Sequence, residues 1–138
     1  VLCGPVQDER YFAAEIEPQV DGDRVRYLGS VGPAERATIL GAASCLLHPI
    51  AFAEPFGLSV VESMLCGTPV VAYARGSMPE IVDDGVTGVL AQGVDSAVAG
   101  VERAVRFDRA ACRRTAERRF SVDRMVDDYL EVYEGVLR

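Results

Sequence analysis

Short apolar runs alternate along the chain with longer stretches in which apolar residues recur every three or four positions. VLCG (1–4), RVRYLG (24–29), CLLHP (45–49), TPVVAYA (68–74) and VLA (89–91) read as strands. CLLHP and TPVVAYA are almost continuously apolar, the pattern of strands covered on both faces. Between them the helical period predicts helices over 7–17, closed by Pro18, over 33–43, with Pro33 in the first turn, over 57–66, and a short one over 78–83. DDGVTG (83–88) reads as a turn. From Val94 the pattern is helical to the end, with breaks near Phe107–Asp108 and Phe120–Ser121 and with Ser121 and Asp123 as candidate caps. Strand–helix alternation of this kind predicts an α/β fold, a parallel sheet flanked by helices, here in a single domain over 1–138. Ligands of such sheets bind beyond the carboxyl ends of the strands. The segments of interest are therefore GPV, GSVG, HPIAFAEPFG and ARGSMPE, which follow the first four strands.

Composition narrows the function. The formal net charge is −7, which argues against a nucleic-acid partner, since that needs a basic face to displace counterions. All 14 basic residues are arginine, so any chemistry that needs a lysine in this segment is excluded. The apolar runs are far shorter than the ~20 residues that span a bilayer. Cys3, Cys45, Cys66 and Cys112 form no CxxC pair and read as buried reduced thiols, which suits a cytoplasmic setting. The chain opens directly on a core strand, so it is expected to be part of a longer protein.

The segment HPIAFAEPFGLSVVESMLCGTP (48–69) carries the most chemistry. Pro49 and Pro55 stiffen a loop that leaves a strand end, and Gly57 allows close approach to the backbone. The amides of Phe56, Gly57 and Leu58 fall at a helix N-terminus, where they lack intrahelical acceptors and the helix dipole favours anions. Val60, Val61, Met64 and Leu65 form the buried face of this helix, with Glu62 on its flank. A carboxylate there can accept hydrogen bonds from vicinal hydroxyls, as an acid does for a ribose in dinucleotide folds. Glu54, in the loop, can serve a second sugar across the phosphates. The spacing is equally compatible with a solvated Glu62 and with a Glu54 that only favours the helix dipole.

EPFGLSVVE places two glutamates around seven residues, and the continuation ESMLCGTPVVAYARGSMPEIVDDGVTGVL extends the match over nearly the whole chain. The sequence resembles the family-4 retaining glycosyltransferases of the two-domain GT-B fold. The resemblance implies the C-terminal, donor-binding half of such an enzyme, a three-layer Rossmann-like sheet whose first strand is missing. It implies a nucleoside diphosphate sugar (UDP-, GDP- or ADP-linked) as partner, with Glu62 on the ribose and Glu54 on the donor sugar. The amides of Phe56, Gly57 and Leu58 would meet the sugar and distal phosphate, and Ser30 and Val31 would touch the base. Neither cofactor nor metal is implied. The arginine and lysine that steady the departing diphosphate in the family lie upstream of VLCGP, and the acceptor-binding N-terminal domain is likewise absent. The fragment alone is therefore expected to be inactive, and any attachment at the inner membrane face would come from the absent domain.

Other residues carry weaker expectations. His48, the single histidine, is expected to be satisfied by a backbone carbonyl rather than to bind metal. Arg75 is a candidate anion contact or a surface arginine. Glu80 suits a first helical turn, and Gly85 and Gly88 suit turns. Arg113, Arg114, Arg118 and Arg119 can form a basic strip or a solvated face. Tyr129, Val132, Tyr133 and Val136 recur at helical spacing and read as packing. A receiver-type signalling module would need clustered acids after the first strand and a later lysine, and both are missing. A non-catalytic sugar-nucleotide or interaction module remains the alternative.

Overall fold

The computed structural model describes residues 1–137, which divide into two compact units, 1–36 and 37–137. In the first unit the two expected strands shrink to a single parallel bridge between Leu2 and Tyr27. Leu2 N–H donates to Arg26 O at 2.7 Å, Leu28 N–H to Leu2 O at 3.0 Å and Gly4 N–H to Gly29 O at 2.8 Å. The Tyr27 hydroxyl donates to Gly4 O at 2.6 Å, and the Tyr27 ring lies 4.9 Å from that of Phe12. The expected helix over 7–17 starts as α1 (Glu9–Tyr11), capped by the Asp8 side chain on Tyr11 N–H. It then widens to a π turn over Phe12–Ile16 and tightens to a 3₁₀ turn over Glu17–Gln19. Pro18 sits inside that last turn rather than ending the helix before it, because the opening residues of a turn need no amide donor. Helix α2 (Pro33–Ala42) begins on the expected proline.

In the second unit three strands, β1 (Leu46–His48), β2 (Val70–Tyr73) and β3 (Gly88–Ala91), form a parallel sheet in the order β1-β2-β3. Leu46 pairs with Val70, and Val70 in turn with Gly88. The β2 side chains alternate between two cores. Val70 and Ala72 face Val60, Met64, Met78, Ile81, Cys112 and Ala116, whereas Val71 faces Val89 and Ala104, joined by Ala97, Val101 and Phe107. Helices α3 (Leu58–Leu65), α4 (Met78–Ile81) and α6 (Arg109–Phe120) supply the first core, and α5 (Val94–Ala104) supplies the second. The result is the expected three-layer α/β arrangement, with β2 buried on both faces.

Local chemistry accounts for the helix boundaries. Asp108 caps α6 through Ala110 N–H at 2.9 Å, and Ser121 caps α7 (Val122–Val136) through Arg124 N–H at 3.2 Å. Asp123, the other cap candidate, lies in the first turn of α7 instead. The turn before β3 is as expected, with Gly85 N–H on Gly88 O at 2.9 Å. Two expectations fail. Only Cys112 among the cysteines is buried, and burial pushes its thiol up to about 11, so it stays protonated at neutral pH. The stripe of Tyr129, Val132, Tyr133 and Val136 is not buried: every residue of α7 is exposed or half-exposed. Arg113, Arg114, Arg118 and Arg119 are all exposed, as the solvated-face reading expects. Arg113 pairs with Glu117, Arg114 with Asp108, Arg118 bonds Thr115, and Arg119 donates to the carbonyls of Ile81 and Glu80.

One anchor has no signature in the sequence. The Arg109 guanidinium donates to Ala43 O at 2.6 Å, Gly41 O at 2.7 Å and Thr68 Oγ1 at 2.8 Å, and Thr68 Oγ1 donates to Leu40 O at 2.6 Å. It satisfies carbonyls at the end of α2 that have no helical donor and ties them to α6 and to the lead into β2. Arg109→Ala is expected to destabilise the chain by about 2–3 kcal/mol in urea denaturation, and Arg109→Lys to recover only part of this, because an ammonium cannot reach three acceptors as a fork.

Candidate functional site

β1 ends at His48, and the chain then runs through an exposed loop to Gly57, the N-cap of α3. Gly57 has φ 87° and ψ 63°, a left-handed conformation that residues with a Cβ adopt at a cost. It is also buried against the Met78 methyl, which a Cβ would meet at 2.7 Å. The glycine expected to admit a ligand is thus required first by the turn itself. Beyond it the chain enters α3 with Leu58 70% exposed and Ser59 exposed, so the first turn faces solvent. Val60 N–H already donates to Gly57 O at 3.0 Å, which leaves the Leu58 and Ser59 amides as the ones at this tip without an intrahelical acceptor.

Glu54 folds back onto this helix tip. Its Oε1 accepts from Gly57 N–H at 3.1 Å, so the carboxylate engages one of the three amides proposed for ligand. The Phe56 ring turns away and stands edge-on to Phe120, centroids 6.2 Å apart. The Phe56 carbonyl accepts from Ser77 Oγ at 3.0 Å. Glu62 is half-buried and lies one turn beyond Leu58 on the same helix face. Of the expected buried stripe, Val60, Val61 and Met64 are buried and Leu65 is half-buried against the same core. Ser63 is buried as well, its hydroxyl donating to Thr68 O at 2.9 Å.

Arg75 follows β2 and is exposed. Its Nη1 donates to Ala51 O at 2.8 Å, and its guanidinium lies 5.9 Å from the Tyr73 ring centre. His48 departs from its expectation: Nε2 is buried and has no hydrogen-bond partner. Burial holds its pKa below the usual histidine range, with a smaller opposing pull from the Glu54 charge. Among the described residues no group of three metal-ligating side chains occurs, and no helix is long and apolar enough to cross a membrane.

Two hollows accompany these residues, each within one unit. In the first unit a groove of about 320 Å³ is lined by Cys3, Gly4, Pro5, Ser30, Val31 and Arg36, so the ends of the two leading segments do converge around Ser30 and Val31. In the second, an apolar groove of about 490 Å³ runs beside Phe56, Val61, Phe120, Val122, Met125 and Tyr129. The sequence carries no sign of this second groove, because its walls come from four elements: the loop before α3, α3, α6 and α7.

Two outcomes follow from this geometry. Gly57→Ala is expected to lower stability by about 1–2 kcal/mol in thermal or urea denaturation, through left-handed strain and displacement of Met78. His48 gives a pH dependence of definite sign. Its folded pKa is depressed, so the unfolded chain binds the proton more readily and stability falls as pH drops below about 6.5. Unfolding midpoints measured between pH 7.5 and pH 5.5 are expected to decline in the parent and to stay flatter in His48→Gln.

With this geometry in place, the likeness to known proteins is informative. The family described as "Glycosyl transferases group 1" matches residues 1–119. A D-inositol 3-phosphate glycosyltransferase of Mycobacterium avium (strain 104) is 38% identical over 123 residues, which is 83% of this chain and 29% of that protein. The chain thus spans under a third of that curated relative. The crystal structure of AviGT4, a glycosyltransferase involved in avilamycin A biosynthesis, matches with a TM-score of 0.82 at 28% identity, over 99% of this chain and 43% of that one. Anabaena Alr3699/HepE, solved in complex with UDP-glucose, matches with a TM-score of 0.77 at 26% identity, over 97% of this chain and 40% of that one. These structural neighbours are GT-B glycosyltransferases. A match that runs from Val1 to Arg119, on a parallel sheet layered like theirs, places this chain in the group 1 glycosyl transferases.

Proposed function

We propose that this chain is the C-terminal, donor-binding part of a family-4 retaining glycosyltransferase, and that it holds a nucleoside diphosphate sugar at the N-terminus of α3. The observation that carries this reading is the solvent-facing first turn of α3, with the Glu54 carboxylate against it and Glu62 on the Leu58 face. Amides without acceptors and the positive end of the helix dipole suit the diphosphate and the oxygens of the sugar. In this reading Glu54 exchanges its bond to Gly57 N–H for hydroxyls of the donor sugar, and that amide then turns to the ligand. Glu62 receives the ribose hydroxyls. The residues expected to contact the base, Ser30 and Val31, line a groove of the first unit and are described there by themselves. The likeness to a transferase solved with UDP-glucose supports a nucleotide sugar as partner.

The transfer itself belongs to the whole protein. An acceptor hydroxyl attacks the anomeric carbon from the face that the diphosphate leaves, so configuration is retained. Negative charge grows on the diphosphate as the glycosidic bond breaks, and donors already aimed at that position stabilise it without reorganising. In this reading the helix tip supplies part of that stabilisation without a metal, and the acceptor and its domain lie outside this chain. A cytoplasmic site, with any membrane attachment made through that other domain, belongs to the same proposal.

Calorimetry with UDP-, GDP- and ADP-glucose and the corresponding diphosphates tests the reading. Binding of one nucleotide series is expected. Glu62→Ala should weaken both the sugar nucleotide and its diphosphate by about 1.5–3 kcal/mol, roughly ten- to a hundredfold in Kd. Glu54→Ala should weaken the sugar nucleotide and leave the diphosphate alone. A correctly folded parent that binds none of the panel, or a Glu62→Ala variant that binds like the parent, would overturn it.

A further inference from the structure

We infer that Arg75, Gly76 and Ser77, which follow β2, are positioning residues that hold the Glu54–Phe56 segment against the tip of α3. The inference rests on the donor-binding reading above and adds residues that do not touch the ligand. Four contacts converge on the loop. Arg75 Nη1 donates to Ala51 O at 2.8 Å, Ser77 N–H to Glu54 O at 2.9 Å and Ser77 Oγ to Phe56 O at 3.0 Å. Gly76, left-handed at φ +55°, lies so close that a Cβ would stand 2.5 Å from both Glu54 N and Glu54 O. The carbonyls on either side of Pro55 are therefore both held from the neighbouring strand end, while the Glu54 carboxylate is held by Gly57 N–H.

The arrangement has a mechanical logic. The loop between His48 and Gly57 is exposed over most of its length and has no ladder of its own. An unsupported loop of this kind samples many conformations, and ordering it would be charged against ligand affinity. β2 is buried on both faces and does not move freely, so bonds from its carboxyl end transfer that rigidity to the loop. The support is selective. Glu54 and Phe56 hang from it, whereas Glu62 is carried by α3, whose place is set by Val60, Val61 and Met64 in the core. Loss of the support should therefore impair recognition of the sugar and spare recognition of the nucleotide. Arg75 acts here through the Ala51 carbonyl, not through an anion.

Two measurements on Ser77→Ala, Arg75→Gln and Arg75→Lys test this. The first is calorimetry with the glucose nucleotide that binds the parent and with the matching diphosphate. Ser77→Ala and Arg75→Gln are expected to raise the sugar-nucleotide Kd roughly five- to tenfold and to leave the diphosphate Kd unchanged, with Arg75→Lys partly restoring the former. The second needs no ligand. Amide exchange at Gly57 should speed up roughly fivefold or more in Ser77→Ala, while exchange at Val71 in β2 stays as in the parent. Equal weakening of both ligands, an Arg75→Gln effect on the diphosphate alone, or unchanged sugar binding with unchanged Gly57 exchange would overturn the inference. A parent that binds no nucleotide would overturn the donor-binding reading and this inference with it. Gly57 exchange in that case still reports separately whether the support exists.

Discussion

The left-handed backbone at Gly57 is the constraint on which the candidate site depends. It lets the chain leave a loop and enter α3 within a single residue, with Leu58 and Ser59 of the first turn exposed. The Met78 methyl closes one side of this residue and the Glu54 side chain the other. The same residue therefore sets the direction of the helix dipole, the position of the acidic side chain in front of it and the seat of the short α4. A residue with a Cβ would have to disturb all three.

Behind that turn stands β2. Its alternating side chains enter two different cores, one with α3, α4 and α6 and the other with α5. A strand buried on both faces can supply fixed points for what lies beyond its end, and the loop that follows it does so for Glu54 and Phe56. The arrangement explains why a surface loop with little apolar surface of its own can hold a carboxylate in one place. It also explains the unequal support of the two glutamates: Glu54 depends on loop-to-loop hydrogen bonds, and Glu62 on the packing of a helix.

Arginine carries much of the tertiary work in this lysine-free chain. Arg109 joins α6 to the end of α2, Arg119 reaches the carbonyls that close α4, and Arg75 reaches the loop before α3. In each case a planar fork of donors meets backbone carbonyls that no helix or strand satisfies. By contrast α7 carries many apolar residues and none of them buried, from Val126 at 45% to Val136 at 80% exposed. Its helical period is clear in the sequence, but a period states only that one face is apolar, not that something covers it.

The sequence by itself determined the order of strands and helices, the parallel layering, the Pro33, Phe107–Asp108 and Ser121 boundaries, and the helix tip around Gly57. All of these rest on local patterns: hydrophobic period, turn residues and caps. The weak first pair of strands was not legible, since RVRYLG alternates well yet forms one bridge with Leu2. Neither were the orphaned Nε2 of His48, the burial of Ser63, or the contacts of Arg75, Ser77 and Arg109. These were decided only by tertiary structure. Each depends on a partner 5 to 41 residues away for Ser63, Ser77, Arg75 and the Arg109–Thr68 pair, or on burial by distant segments for His48. A local pattern states which face of an element is apolar and where it starts and stops; which polar atoms meet across the gaps is settled only when the packed elements bring their ends together.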